Sequence, residues 1–176
     1  MGPLLGLLAA LIPAGAAASV TDAAPAGFVI VLEADVAAKP GRVYDALVKQ
    51  VGSWWSSGHT FSGEAANLSI QPRAGGCFCE RLEAGGSVHH MAVANAQPGK
   101  LLRVTGGLGP LQALAVSGSL TVELAGAEAG TKVTWTYRVA GYDPGGLEAW
   151  AGPVDQVLAE QLQRFHRFVE TGGPGE

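Results

Sequence analysis

The side chains best suited to acid–base chemistry are a glutamate and a histidine carried on neighbouring strand-like segments. In Gly76-Cys-Phe-Cys-Glu-Arg-Leu82, strand alternation puts Glu80 on one face with Phe78, and Cys77, Cys79 and Arg81 on the other. In Ser87 to Ala96 the adjacent His89 and His90 must point to opposite faces, so one of them turns inward. His90, with Val88 and Ala92 on its side, is the inward candidate, although Met91 and Val93 give the other face a similar claim. Burial lowers the pKa of an imidazole and a nearby carboxylate raises it, so His90 beside Glu80 has the makings of a proton shuttle near neutral pH. Tyr137 is the candidate proton donor. The plainer reading is that buried polar groups must find partners, and a histidine and a glutamate on adjacent strands more often satisfy each other than catalyse.

Other chemistries are poorly served. His59, Glu80 and His90 are of the right types for zinc, but no H-x-x-x-H or H-E-x-x-H spacing supports a site, so neither metal nor cofactor is expected. There is no G-x-S-x-G elbow and no P-loop, and Gly106-Gly-Leu-Gly-Pro110 leads into a strand, without the helix N-terminus that would hold a phosphate. Cys77 and Cys79 would lie on one face with Cα atoms roughly 6.6 Å apart in an extended strand, near the long limit for a disulfide. Two small side chains filling a strand are the expectation there, ahead of a redox pair. Eleven Lys plus Arg against 15 Asp plus Glu give a net charge of −4 with no basic run, which excludes electrostatic capture of nucleic acid.

The elements that must position these groups can be read from pattern. Leu4 to Ile12 is an apolar run followed by small residues from Ala14 to Ser19; nine residues fall short of the roughly 20 that span a bilayer. Residues 1–19 are therefore expected to be a cleaved signal peptide, despite the lack of Lys or Arg before Leu4, and 20–27 a linker. Export to the periplasm or beyond follows if the leader is cleaved, and a cytoplasmic location if it is not. One domain then runs over 28–171, with a disordered tail at 172–176.

Phe28 to Asp35 is rich in β-branched residues and reads as a strand; Pro40 opens a short amphipathic helix, and Ser53 to His59 forms a second helix or turn. Six strands follow, about Ala66 to Gln71, Gly76 to Leu82, Ser87 to Ala96, Lys100 to Thr105, Leu114 to Leu124 and Lys132 to Ala140, separated by glycine-containing turns. Asp143 and Pro144 are placed to start a long helix whose apolar stripe runs from Leu147 to Val169, with a kink or break expected at Gly152-Pro153. The fold class is α+β, in the order strand, two helices, six strands, helix.

That order, together with Gly52-Ser-Trp-Trp-Ser-Ser-Gly-His-Thr60, Arg73-Ala-Gly-Gly-Cys-Phe-Cys-Glu80, Gly107-Leu-Gly-Pro-Leu-Gln112 and Gly141-Tyr-Asp143, resembles the SRPBCC superfamily of START-like, helix-grip proteins. This superfamily includes polyketide cyclases, the birch-pollen-allergen group and homologues of the heat shock protein ATPase activator. The resemblance implies a curved antiparallel sheet of six to seven strands wrapped on the C-terminal helix, with a mostly apolar pocket between them. Small residues at Ala92, Ala94, Ala113, Ala115, Gly118 and Ala151 would leave that space open, and Trp54, Trp55, Trp135, Tyr142 and Trp150 would line it, with His59 and Gln112 among its polar groups.

Three functions fit such a scaffold. The first is a module that binds a small hydrophobic molecule (a lipid, polyketide or aromatic metabolite), its polar end oriented by His90, Glu80 and Gln112. The second is a cyclase-, aromatase- or dehydratase-like enzyme, with His90 as general acid/base. The third is a chaperone-activating interaction domain. One scaffold hosts many functions, so fold alone does not choose among them.

Overall fold

In a computed structural model, residues 19–175 are described. The expected leader therefore lies outside the described residues except for Ser19. Eight strands and three α-helices follow one another: β1 (Val20–Ala24), β2 (Gly27–Val36), α1 (Pro40–Lys49), α2 (Val51–Trp54), β3 (Leu68–Ile70), β4 (Cys77–Arg81), β5 (Ser87–Gln97), β6 (Leu101–Thr105), β7 (Ala115–Ala127), β8 (Gly130–Tyr142) and α3 (Glu148–Thr171). All strands join one antiparallel sheet in the order β1-β2-β8-β7-β6-β5-β4-β3. The meander from β3 to β8 closes on β2, as the short glycine-containing connections require.

Two boundaries differ from the sequence reading. Residues 20–27 are not a linker: β1 pairs with β2, and the Ser19 carbonyl extends the ladder by accepting the Val31 amide at 2.8 Å. Its mostly exposed residues carry no apolar alternation, which is why pattern missed it. The tail at 172–175 is described and turns back on α3, where the Pro174 carbonyl accepts Arg167 Nε–H at 2.9 Å. Gly172, in the left-handed region at φ 84°, lets the chain leave the helix in that direction.

The long helix also starts and runs differently. Asp143 and Pro144 form a turn, closed by the Gly146 amide on the Asp143 carbonyl at 2.9 Å, and α3 begins only at Glu148. Asp143 still fixes the helix entrance, because its carboxylate accepts Trp150 Nε1–H at 2.9 Å. No break occurs at Pro153. So near the N-terminus the proline forfeits only the bond to the Ala149 carbonyl, and Ala149 is exposed, so water can satisfy that oxygen.

The core lies where α3 rests on the concave sheet face. Phe28 and Ile30 of β2, Val122 of β7, and Val133, Trp135 and Tyr137 of β8 meet Leu158, Leu162, Phe165 and Val169 of α3, all nearly inaccessible to water. Trp54 closes one end of this core, its ring 5.0 Å from Phe165 and 6.1 Å from Trp135. Each such fully buried large side chain contributes about 1.5–3 kcal/mol. Aromatic packing thus fills the half of the sheet–helix space nearest the C-terminal end of α3 and leaves the other half open.

Candidate functional site

The open half is a cavity of about 320 Å³. Its floor is Leu68 of β3, Phe78 of β4 and His90 of β5; its walls are Trp55, the loop 58–61 and the loop Leu108–Leu111; its roof is the first half of α3, with Trp150, Val154, Val157 and Leu158. Nearly every one of these side chains is apolar. The volume lies at the lower end of the range for small-molecule pockets, about 300–1,000 Å³.

A bulge in β5 creates the polar end. Phe78 pairs with Met91 and Cys79 with His89, so His90 is an extra residue with no partner on β4. The strand's alternation resets there, and His90 and Met91 both become buried, at 4% and 0% exposure. The expectation that His90 turns inward holds, but its inner companions are Met91 and Val93 as well as the half-buried Val88, while Ala92 pairs outward with Cys77.

Glu80, 1% exposed, is the hub beneath this surface. Its carboxylate accepts the Phe61 amide at 3.1 Å, the Ser62 amide at 2.5 Å and His90 Nε2–H at 2.9 Å. Burial pushes the carboxyl up, but the bonds from Ser62, Phe61 and His90 outweigh it and hold the pKa below the ordinary carboxylate range. Burial lowers the pKa of His90; Glu80 raises it by less and His89 adds to the lowering, so it stays below its ordinary 6.5. An ionised carboxylate only accepts, so the proton sits on Nε2 and leaves Nδ1 as an acceptor, which Gln112 Nε2–H reaches at 3.3 Å. The imidazole is neutral, its tautomer fixed and its face on the cavity, with the rings of Phe78 and Phe61 at 5.0 and 5.8 Å.

The remaining candidates separate into groups. Trp55, His59 and Trp150 line the cavity with His90; Trp55 donates to the His59 carbonyl at 3.0 Å, and His59 Nε2 lies 3.0 Å from Glu160 across the mouth. Trp54 and Trp135 are core residues and do not line it. Tyr142, 68% exposed, stands on the surface because strand alternation puts it on the outer face of β8 with Arg138 and Ala140. Neither Glu80 nor Gln112 lines the cavity; both touch His90, Glu80 from the buried side and Gln112 as an exposed side chain. His59, Glu80 and His90 do not converge as a ligand set, since His59 is engaged with Glu160.

Tyr137 is buried and does not line the cavity; burial pushes its phenol up to about 12. Its hydroxyl accepts the Leu108 amide at 3.2 Å and lies 3.5 Å from the Gly106 carbonyl, so it braces the loop that forms one wall. Gly118 sits against it: a Cβ there would come within 2.6 Å of the tyrosine ring and 2.7 Å of its hydroxyl. The small residues expected to make room do not make it here. Gly118 is filled by Tyr137, and Ala94, Ala113 and Ala115 are exposed. The open space comes from the loops and the first half of α3. Phe61, Phe78, Leu108 and Val154 were not singled out as lining in sequence; Phe78 carried a signal as the apolar neighbour of Glu80 on one strand face, and Val154 as part of the apolar stripe of the long helix.

A family model described as polyketide cyclase / dehydrase and lipid transport matches residues 28–170. The chain belongs to this family. It is an SRPBCC-type family, and the sheet, at eight strands, has one more than the upper expectation. No curated relative matches the chain by sequence. Among solved structures it is similar to protein MLL2253 from Mesorhizobium loti, at 18% identity and TM-score 0.59, over 80% of this chain and 96% of that one. It is also similar to Aha1 from Colwellia psychrerythraea, solved as a dimer, at 18% identity and TM-score 0.58, over 82% and 97% of the two chains. DynU16, from the dynemicin biosynthetic locus, matches at 18% identity and TM-score 0.58 over 83% of this chain and 48% of its own. At such identities these likenesses speak for the fold. Among the described residues no helix of this family member is long and apolar enough to cross a membrane.

Proposed function

We propose that the protein holds a small, largely apolar molecule in the cavity between the loops, the far strands of the sheet and the first half of α3. The carrying observation is the 320 Å³ space walled mostly by apolar side chains, with the imidazole of His90 at its floor and that of His59 at its wall. A guest with an apolar body and one hydrogen-bonding group suits that distribution. Native mass spectrometry of the purified full chain tests it. A non-covalent adduct of a few hundred daltons, lost on denaturation, is the expected result, and saturable binding of the dye 1-anilinonaphthalene-8-sulfonate, displaced by long-chain fatty acids or polycyclic aromatics, is the expected counterpart. Absence of both would end this reading.

A cyclase-like activity is the second reading, favoured by the Nδ1 of His90. Its partner Gln112 is an exposed side chain at a long 3.3 Å, so an acidic group of a guest can take its place and lose a proton to the ring. His90→Gln separates the two. Turnover lost with affinity kept supports chemistry; affinity lost, with no turnover in the parent protein, supports binding alone. The chaperone-activating reading rests on fold likeness only, and export would remove it. We place the protein in an oxidising compartment, a reading supported by the Cys77–Cys79 disulfide. A cellular protein whose mass begins beyond residues 14–18 would bear that out, and an uncleaved leader in the cytosolic fraction would refute it.

A further inference from the structure

Cys77 and Cys79 are joined as a disulfide, contrary to the expectation of two free strand fillers. The physical reason is the bulge at His90. Opposite it β4 contracts, and the two Cα atoms stand 5.4 Å apart instead of the roughly 6.6 Å of an extended strand, well within bridging range. Both cysteines are half-buried on the outer sheet face, the side away from the cavity.

This bridge does little for the fold. The constraint a disulfide places on the unfolded chain grows with the loop it closes, and this one spans a single intervening residue. β4 is already held by ladders to β3 and β5. What the bridge does have is an electropositive setting. Cys79 pairs directly with the exposed His89 across the ladder, which places the two Cβ atoms about 4.5–5.5 Å apart. Arg81, exposed, follows on the same face, where its guanidinium reaches Asn67. The other outward partners of β4 on that face are Ser69, Ser87 and Ala92, so no paired neighbour there is acidic. Half-exposed cysteines beside cationic or imidazole side chains are the reactive ones, because such neighbours stabilise the thiolate.

We propose that Cys77–Cys79 is a thiol–disulfide exchange site, distinct from the cavity, that accepts two electrons and two protons from a dithiol. A thiolate of the dithiol attacks Cys77 Sγ, the Sγ–Sγ bond breaks, and Cys79 leaves as a thiolate next to His89 and Arg81. The second thiol of the donor, as thiolate, then displaces Cys77 from the mixed disulfide. The donor departs as a disulfide and its two protons end on Cys77 and Cys79; exchange with an oxidised dithiol runs the steps in reverse.

The test uses the oxidised full-length protein under native conditions, with dithiothreitol as donor, acid quenching and N-ethylmaleimide labelling read by mass. Two labels should appear within minutes with unchanged near-ultraviolet circular dichroism, and trans-4,5-dihydroxy-1,2-dithiane should restore the unlabelled form. The double variant His89→Ala/Arg81→Ala, both exposed positions, should be reduced about tenfold more slowly at the same melting temperature. Three results would overturn the proposal: reduction only after urea is added, labelling of the untreated protein, or an unchanged rate in the double variant.

Discussion

Glu80→Leu is expected to lower the unfolding free energy by about 3–5 kcal/mol, as breaking a buried polar cluster by removing one partner does. Three donors lose their acceptor together: the amides of Phe61 and Ser62 and Nε2–H of His90. Urea titration at neutral pH measures the loss, and a change under 1 kcal/mol would mean that Glu80 does not anchor the loop. Glu80→Gln keeps one accepting oxygen and should lose about half as much. The same cluster sets an acid sensitivity. His90 and Glu80 both have pKa values lowered by folding, so the unfolded chain binds more protons and stability falls with falling pH. The His90 contribution is complete above about pH 6.5 and fades as the pH drops through its folded value; that of Glu80 is complete above about 4.3 and fades below it. In Glu80→Leu the lower of these two steps should be missing.

Val154→Trp should weaken dye binding at least about tenfold, a change of roughly 1.4 kcal/mol. Val154 faces the cavity from the roof of α3, so an indole at that position projects into the free volume. Stability should change little, because the added ring fills space that is otherwise empty. Val154→Ala, which widens the space, should keep binding, and Tyr142→Ala, on the exposed surface, should leave it unchanged. Equal dye affinity in Val154→Trp and the parent chain would place the guest elsewhere.

Strand alternation and turn signals carried most of the architecture: seven of the eight strands and the long helix lie close to where the sequence puts them. β1 escaped because an edge strand with mostly exposed residues has no buried face to write a pattern. The ambiguity at His90 and Met91 was real. Both point inward, since one unpaired residue in β5 resets the period, and nothing in the local sequence marks where a bulge falls. The disulfide failed for the same reason, because the 6.6 Å estimate assumed a regular strand. The cavity wall was the least legible part. Phe61, Leu108 and Val154 come from two loops and a helix that meet only in three dimensions, whereas Trp54 and Trp135, large and conspicuous in the sequence, went to the core.

The contact between Gly118 and Tyr137 limits how this protein can diversify. The tyrosine ring occupies the room that any side chain at position 118 would need, and the Leu108 amide hangs from its hydroxyl. The side chains of Leu108 and Pro110 can therefore change to suit a new guest, whereas Leu111, 1% exposed, is held in the core. A single methyl group introduced on the middle of β7 would shift the whole wall at once, so taste evolves at the rim while that one hydrogen atom stays fixed.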